Sequence, residues 1–136
     1  MKLLEGKNAV ITGAARGIGK AIALTFAKEG ANIAFTDLAY DDNAKQTEKE
    51  LAEHGTKVKF YASDASNFYE TGKVVDQIVG DFGGIDALVN NAGITRDTLL
   101  LRMTEEQWDM VLKVNLKSVF NFTKAAQKYM LKQKSG

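Results

Sequence analysis

The sequence predicts an α/β domain built on a parallel sheet with helices on both faces. Three observations lead there. Short apolar runs alternate with helix-period segments through the 136 residues. The links between them are short, which favours crossover connections between parallel strands. The first apolar run also empties into a turn with three glycines, Gly13, Gly17 and Gly19, just before a helix-like stretch.

The elements follow in order. Asn8–Thr12 is a short apolar strand. Arg16–Glu29 reads as a helix, with Ile18, Ile22 and Phe26 at i, i+4 and i+8 as its apolar face and Gly30 as its stop. Asn32–Thr36 is the second strand. Asp41–His54 is a polar helix ended by Gly55, and Val58–Ala62 is the third strand. Ser66–Phe82 is helical, with Val74, Val75, Ile78 and Phe82 turned inward. After the turn GGID comes a fourth strand, Ala87–Asn90. Thr104 opens a further helix: in TEEQ, Gln107 stands three residues on, as a capping box requires. Leu116–Lys134 is a long final helix. There is no internal repeat, linker or low-complexity tract, and in an alternating fold a strand would be the next element.

Composition narrows the function. Hydrophobic residues make up 45%, enough for a core, and the net charge of +1 gives no argument for nucleic acid or a membrane surface. The absence of cysteine excludes disulfides, thiolate metal sites and a cysteine nucleophile. No apolar run approaches the roughly 20 residues of a membrane span. The opening MKLLEGKNAV has no signal-peptide apolar region, so a cytoplasmic protein is expected. Charge is unevenly spread: Asp37–Glu53 carries six acids against two lysines, and Met110–Gly136 carries six lysines and no acid.

The glycine turn is the first functional signal. A tight turn between strand and helix needs residues free of a Cβ. The helix then points its unpaired N–H groups and positive dipole end at the turn, which makes an anion site. A P-loop would need glycine at position 14 and Ser or Thr at 21; both are alanine. The spacing T-G-x-x-x-G-x-G is instead a variant of the dinucleotide fingerprint, although glycines alone serve equally as a structural turn. Asp37, ending NIAFTD, stands where an acid would hold ribose hydroxyls; it also suits the cap of the next turn. LVNNAG, Leu88–Gly93, ends the fourth strand in two amides, which could bind a ligand or lock neighbouring backbone.

At these residues the chain resembles a family. TGAARGIG with the later NNAG is similar to the short-chain dehydrogenase/reductase family, whose fold is a Rossmann-type, doubly wound sheet. NNAGITRDTLLLRMTEEQWDMVLKVNLKSVFN is similar to one branch, the 3-oxoacyl-carrier-protein reductases of fatty-acid synthesis. The resemblance covers the chain from about Leu4 to Gly136 and about the first half of the family's length. It implies strand order 3-2-1-4 here, in a dinucleotide-binding domain over residues 1–136.

The resemblance also implies roles. Gly13, Arg16, Gly17, Ile18 and Gly19 would surround the cofactor's phosphates and adenosine ribose. Asp37 and Leu38 would sit by that ribose, Asp64 and Ala65 by the adenine, and Asn91, Ala92 and Gly93 beside the cofactor. Asn115 matches the catalytic asparagine, which lies at a helix irregularity and holds a water in the proton relay; it could also be a helix interruption packed in the core. The cofactor would be NAD(H) or NADP(H), with Asp37 tilting the choice towards NAD(H) and Arg16 available for a 2′-phosphate. Acyl carrier protein would be a partner, with Lys132 and Lys134 as contact candidates, and the protein would be a homo-oligomer. Other readings are another short-chain alcohol dehydrogenase and a non-catalytic nucleotide-binding fragment.

The family's serine, tyrosine and lysine follow its next strand, beyond position 136. Tyr69 and Lys73 have Y-x-x-x-K spacing, but they precede NNAG and suit an exposed helix face. His54, the lone histidine, stands at a helix end and receives no catalytic role. The 136-residue chain by itself is therefore expected to show no carbonyl-dependent oxidation of NADH or NADPH in a spectrophotometric assay. Turnover near the roughly 10 s⁻¹ of ordinary enzymes would refute that expectation.

Overall fold

A computed structural model describes all 136 residues. Four parallel strands, β1 (Asn8–Thr12), β2 (Asn32–Asp37), β3 (Val58–Ala62) and β4 (Ala87–Val89), form one sheet in the order β3-β2-β1-β4. Helices α1 (Gly17–Lys28), α2 (Asp42–Ala52) and α3 (Phe68–Phe82) are the crossovers. The chain continues through a 3₁₀ turn, Leu100–Arg102, into α4 (Glu105–Leu112), a π-helical segment over Lys113–Lys117, and α5 (Ser118–Gln133).

Strand alternation divides the core into two layers. Ala9, Ile11, Ile33 and Phe35 point to one face, where Ala23 and Ala27 of α1 and Leu51 of α2 cover them. Val10, Ala34 and Tyr61 point to the other, against Val74, Val75 and Ile78 of α3 and Phe122 and Ala126 of α5. The Tyr61 hydroxyl donates to Asp81 Oδ2 at 2.6 Å, and burial, reinforced by that carboxylate, raises the phenol's pKa.

The expected apolar face of α1 holds at Ile22 and Phe26, which pack partly buried against the core, and fails at Ile18. Ile18 is 75% exposed, and the buried stripe is Gly19, Ala23 and Ala27, one position on from Ile18, Ile22 and Phe26. Small residues are the ones that let this helix lie close to the sheet. Other boundaries moved because capping residues fall outside the helices they start. Asp41 accepts from the Ala44 N–H and stands just before α2. Asn67 accepts from the Glu70 N–H and starts α3 two residues later than Ser66. The Thr104 capping box forms as expected, with Thr104 Oγ1 accepting from Gln107 N–H and Gln107 Oε1 accepting from Thr104 N–H. The expected break between the last two helices is bridged by the π turn, so α4 and α5 run on through it.

At the amino ends of the strands, polar side chains lace the sheet. Asn8 N–H donates to Asp86 Oδ2 at 2.8 Å, and the Asn8 amide donates to the carbonyls of Phe82 and Gly84. Asn32 donates to Asn8 Oδ1 at 2.9 Å. Gln133 at the end of α5 both accepts from Ile85 N–H, at 3.0 Å, and donates to Ile85 carbonyl, at 2.8 Å. The carboxyl ends of the strands are thereby left for the cleft.

Phe35 has no exposed surface and packs edge-on to Phe60 with ring centroids 5.2 Å apart. Phe35→Ala should therefore destabilise the fold by about 3–5 kcal/mol. Urea unfolding followed by circular dichroism measures this, and a loss below about 1 kcal/mol would mean that the layer between sheet and α1–α2 is loosely packed.

Candidate functional site

The four strands end together, and the turns that follow them enclose a cleft of about 510 Å³. A larger groove of about 850 Å³ runs along the outside of α5, lined by residues such as Leu112, Leu116 and Phe120. It touches neither a strand end nor the glycine turn, so the cleft is the candidate site.

The β1–α1 turn supplies Gly13, Arg16, Gly17 and Ile18 to the cleft. Three ties hold this turn from β2 and α2. Ala14 N–H donates to Thr36 carbonyl at 3.0 Å, Ala15 N–H to Asp37 Oδ2 at 3.2 Å, and the Thr47 hydroxyl to Ala15 carbonyl at 2.6 Å. Arg16 then precedes α1 without capping it, and the first turn of α1 holds no acid. The positive end of the helix is thus uncompensated where it meets the cleft, the arrangement that binds a phosphate.

The glycines of this turn differ in what they do. A Cβ at Gly13 would lie 2.8 Å from Ala92 Cα. One at Gly19 would lie 2.4 Å from Asn91 Nδ2 and 2.6 Å from Gly13 O. These two permit close packing. Gly17 has φ +63°, and a Cβ there would meet nothing within 4 Å. Its backbone is the part open to a ligand. Gly19 is the one expected cofactor residue that does not line the cleft; it lies behind the turn.

Asp37 and Leu38 line the cleft at the end of β2. Asp37 Oδ1 accepts from Leu38 N–H at 2.9 Å while its other oxygen straps Ala15, so the carboxylate is held in place. At the end of β3, Asp64 and Ala65 line it too. Asp64 Oδ1 accepts from Ser66 N–H at 3.0 Å and from the Ser66 hydroxyl at 2.6 Å. These two acids offer acceptors to ligand hydroxyl or amino groups.

After β4, Asn91, Ala92 and Gly93 line the cleft. The amides lock backbone: Asn91 Nδ2 donates to the carbonyls of Thr12 and Gly13 at 3.1 and 3.0 Å, and Asn90 Nδ2 donates to Thr123 Oγ1 at 3.2 Å. Thr12, one of the most buried residues, accepts from both Asn91 and Ala92 N–H at 3.0 and 2.9 Å. Asn115 stands beside the cleft, within the π turn. Its Oδ1 accepts from Ile94 N–H at 2.7 Å and its Nδ2 donates to Ile94 carbonyl at 2.9 Å. It lines an adjoining cavity of about 300 Å³ that shares Ile94 and Arg96 with the cleft.

Apart from Thr12, which opens the glycine motif, several residues were not singled out from sequence. Thr12 and Thr36 are paired in register at the ends of β1 and β2, so only the sheet register brings them together. Ser63, Met110 and Val114 also line the cleft, the last two from the helix that crosses its mouth. Tyr69 and Lys73 are exposed on α3 and line no part of it.

Gly17→Val should leave the chain folded, at a cost of about 1–2 kcal/mol for a side chain in left-handed backbone. NADH affinity, measured by fluorescence titration, should fall at least about tenfold. Gly19→Ala should instead perturb the packing of α1 and lower the melting temperature more. Unchanged NADH binding by Gly17→Val would make the turn a scaffold only.

The family model for short chain dehydrogenases matches residues 7–136. The 3-oxoacyl-(acyl-carrier-protein) reductase of Thermotoga maritima is 49% identical over 133 residues, which is 98% of this chain and 54% of that enzyme. The reductase of the same name from Staphylococcus epidermidis is 42% identical over 130 residues, 96% of this chain and 53% of its own length. Among solved structures, NAD⁺-bound xylitol dehydrogenase superimposes with a TM-score of 0.95 at 32% identity, covering 99% of this chain and 52% of that one. A short-chain type dehydrogenase/reductase from Mycobacterium marinum gives 0.93 at 35% identity, covering 98% and 53%. The chain spans about half the length of these relatives. A parallel sheet in the order 3-2-1-4, a glycine turn facing the cleft and a match over nearly the whole chain converge: this chain belongs to the short-chain dehydrogenase family.

Proposed function

We propose that this chain is the cofactor-binding part of an NAD(P)H-dependent reductase that converts a 3-oxoacyl group on acyl carrier protein to the 3-hydroxyacyl form. The observation that carries the proposal is the composition of the cleft. Eleven of the twelve expected cofactor residues line it, in one continuous slot from the adenine-side acids to the Asn91–Gly93 turn. The substrate class is inferred from the relatives that are 42–49% identical to this chain over the matched 130–133 residues and carry that name.

Bound, the nicotinamide cofactor supplies the hydride. The chain's own residues do the holding. The N–H groups at the start of α1, around Gly17, take the pyrophosphate, and Gly13 keeps the turn tight against Ala92. Asp37 accepts from the adenosine ribose, and Asp64 and Ala65 meet the base. Asn115 has both side-chain groups engaged on Ile94, so it positions the loop after β4. A water in the proton relay would use the second lone pair of Asn115 Oδ1 or the second hydrogen of its Nδ2. Lys132 and Lys134, both exposed at the end of α5, would meet the acidic carrier protein. A cytoplasmic homo-oligomer is the setting this reading implies.

NAD(H) is favoured over NADP(H). Asp37 is strapped to Ala15 and Leu38, so its charge cannot swing away from a 2′-phosphate. Arg16 is exposed and takes part in no ion pair. An exposed pair with that phosphate would contribute only about 0–1 kcal/mol, less than a held like charge costs on being desolvated.

The test is steady-state kinetics on the full-length product of the gene, with a 3-oxoacyl thioester and either cofactor. Wild type should reduce the thioester with higher kcat/KM for NADH. Asp37→Ala should move the ratio towards NADPH by about tenfold, near 1.4 kcal/mol. A wild type preferring NADPH with no change in the variant would assign the choice to Arg16. Turnover of a polyol with none of the thioester would favour another short-chain alcohol dehydrogenase.

A further inference from the structure

The turn between β3 and α3 brings Asp64 and Ala65 to the cleft, and its geometry is set from outside it. From α3, Glu70 Oε1 accepts from Asp64 N–H at 3.1 Å, and the Thr71 hydroxyl donates to Ala65 carbonyl at 3.5 Å. From α5, Asn121 Nδ2 donates to the same carbonyl at 2.9 Å. The Ser63–Asp64 peptide is therefore tied by Glu70, and the Ala65–Ser66 peptide by Asn121 and Thr71. Between them lies the Asp64–Ala65 peptide, whose N–H has no protein acceptor. Because peptides are planar, tying both neighbours leaves little freedom to the one between.

That middle peptide and its side chain present a pattern. Ala65 N–H is a free donor, and Asp64 Oδ2 is a free acceptor, since Ser66 occupies only Oδ1. A donor beside an acceptor complements the edge of adenine, whose ring N1 accepts and whose 6-amino group donates. Hypoxanthine reverses both: its N1 carries the hydrogen and its 6-position is a carbonyl.

Asn121 bears a further mark. It is 1% exposed among Phe122 and Ala126, yet its Oδ1 has no hydrogen-bond partner. An unpaired buried amide oxygen costs stability, so packing alone would favour an apolar residue at this position. The amide is accounted for by what its nitrogen does at Ala65.

We propose that Asn121 and Glu70 are positioning residues for base selectivity, which hold the β3–α3 turn so that Ala65 N–H and the Asp64 carboxylate read the adenine edge of the dinucleotide. This rests on the dinucleotide-binding reading above. A site built to pair specific donors and acceptors rejects the analogue that reverses them, because its own groups are then left unpaired.

The test titrates the purified chain with NADH and with reduced nicotinamide hypoxanthine dinucleotide, following nicotinamide fluorescence. Wild type should prefer NADH by at least about tenfold. Asn121→Ala and Glu70→Ala should each cut that preference at least about threefold. Glu70→Gln keeps an acceptor oxygen and should restore it. Melting curves run alongside separate this from stability, since a purely structural role would lower the melting temperature and leave the preference intact. Should Asn121→Ala not fold, the two Glu70 variants decide. An unchanged preference in the folded alanine variants, or a wild type indifferent to the base, overturns the inference. A wild type that binds neither dinucleotide overturns the cofactor reading itself.

Discussion

Helix α1 can lie against the sheet only because residue 19 has no side chain. A methyl group there would press on Asn91 Nδ2 and on the carbonyl of Gly13. The rest of the site depends on this approach. It lets Asn91 reach the Thr12 and Gly13 carbonyls, which ties the turn after β1 to the turn after β4. It also brings the amino end of α1 over the sheet's carboxyl edge, where its unpaired N–H groups confront the cleft. Both the small buried stripe Gly19–Ala23–Ala27 and the exposure of Ile18 follow from the same constraint.

Polar groups around the cleft hold backbone as well as offering contacts. Asp37 straps Ala15, Asp64 closes a turn over Ser66, and Thr12 gathers two N–H groups from the next strand's end. This is what fixes the surface of a cleft made largely of loops. Loops lack the ladder that orders strands, so side chains must supply their hydrogen bonds. The same acids keep free lone pairs for a ligand, which is how one residue can be both strut and contact.

The helical run from Glu105 to Gln133 links distant parts of both edges of the sheet. Asn115 grips Ile94 beyond β4, Asn121 grips Ala65 beyond β3, and Gln133 grips Ile85 before β4. The π turn at Lys113–Lys117 alters the helical phase between Met110 and Val114, which line the cleft, and Phe122 and Ala126, which enter the core.

The strand order came with the family resemblance; the sequence by itself determined the alternation of elements, the parallel strands and the residue types of the glycine turn. Those features rest on local signals: strand runs, helix periodicity, caps such as Thr104, and a glycine spacing that only a few turns need. Tertiary structure alone decided which face of α1 is buried, because Ile18–Ile22–Phe26 and Gly19–Ala23–Ala27 have the same period and only the distance to the sheet separates them. It decided that Asn91 and Asn115 direct their side chains at backbone, where the sequence left ligand and lock open. It also brought Thr36 and Ser63 to the cleft through strand register. Asn121, Glu70 and Ala65 lie far apart in the chain or carry no motif, so their convergence on one turn exists only once α3 and α5 pack side by side.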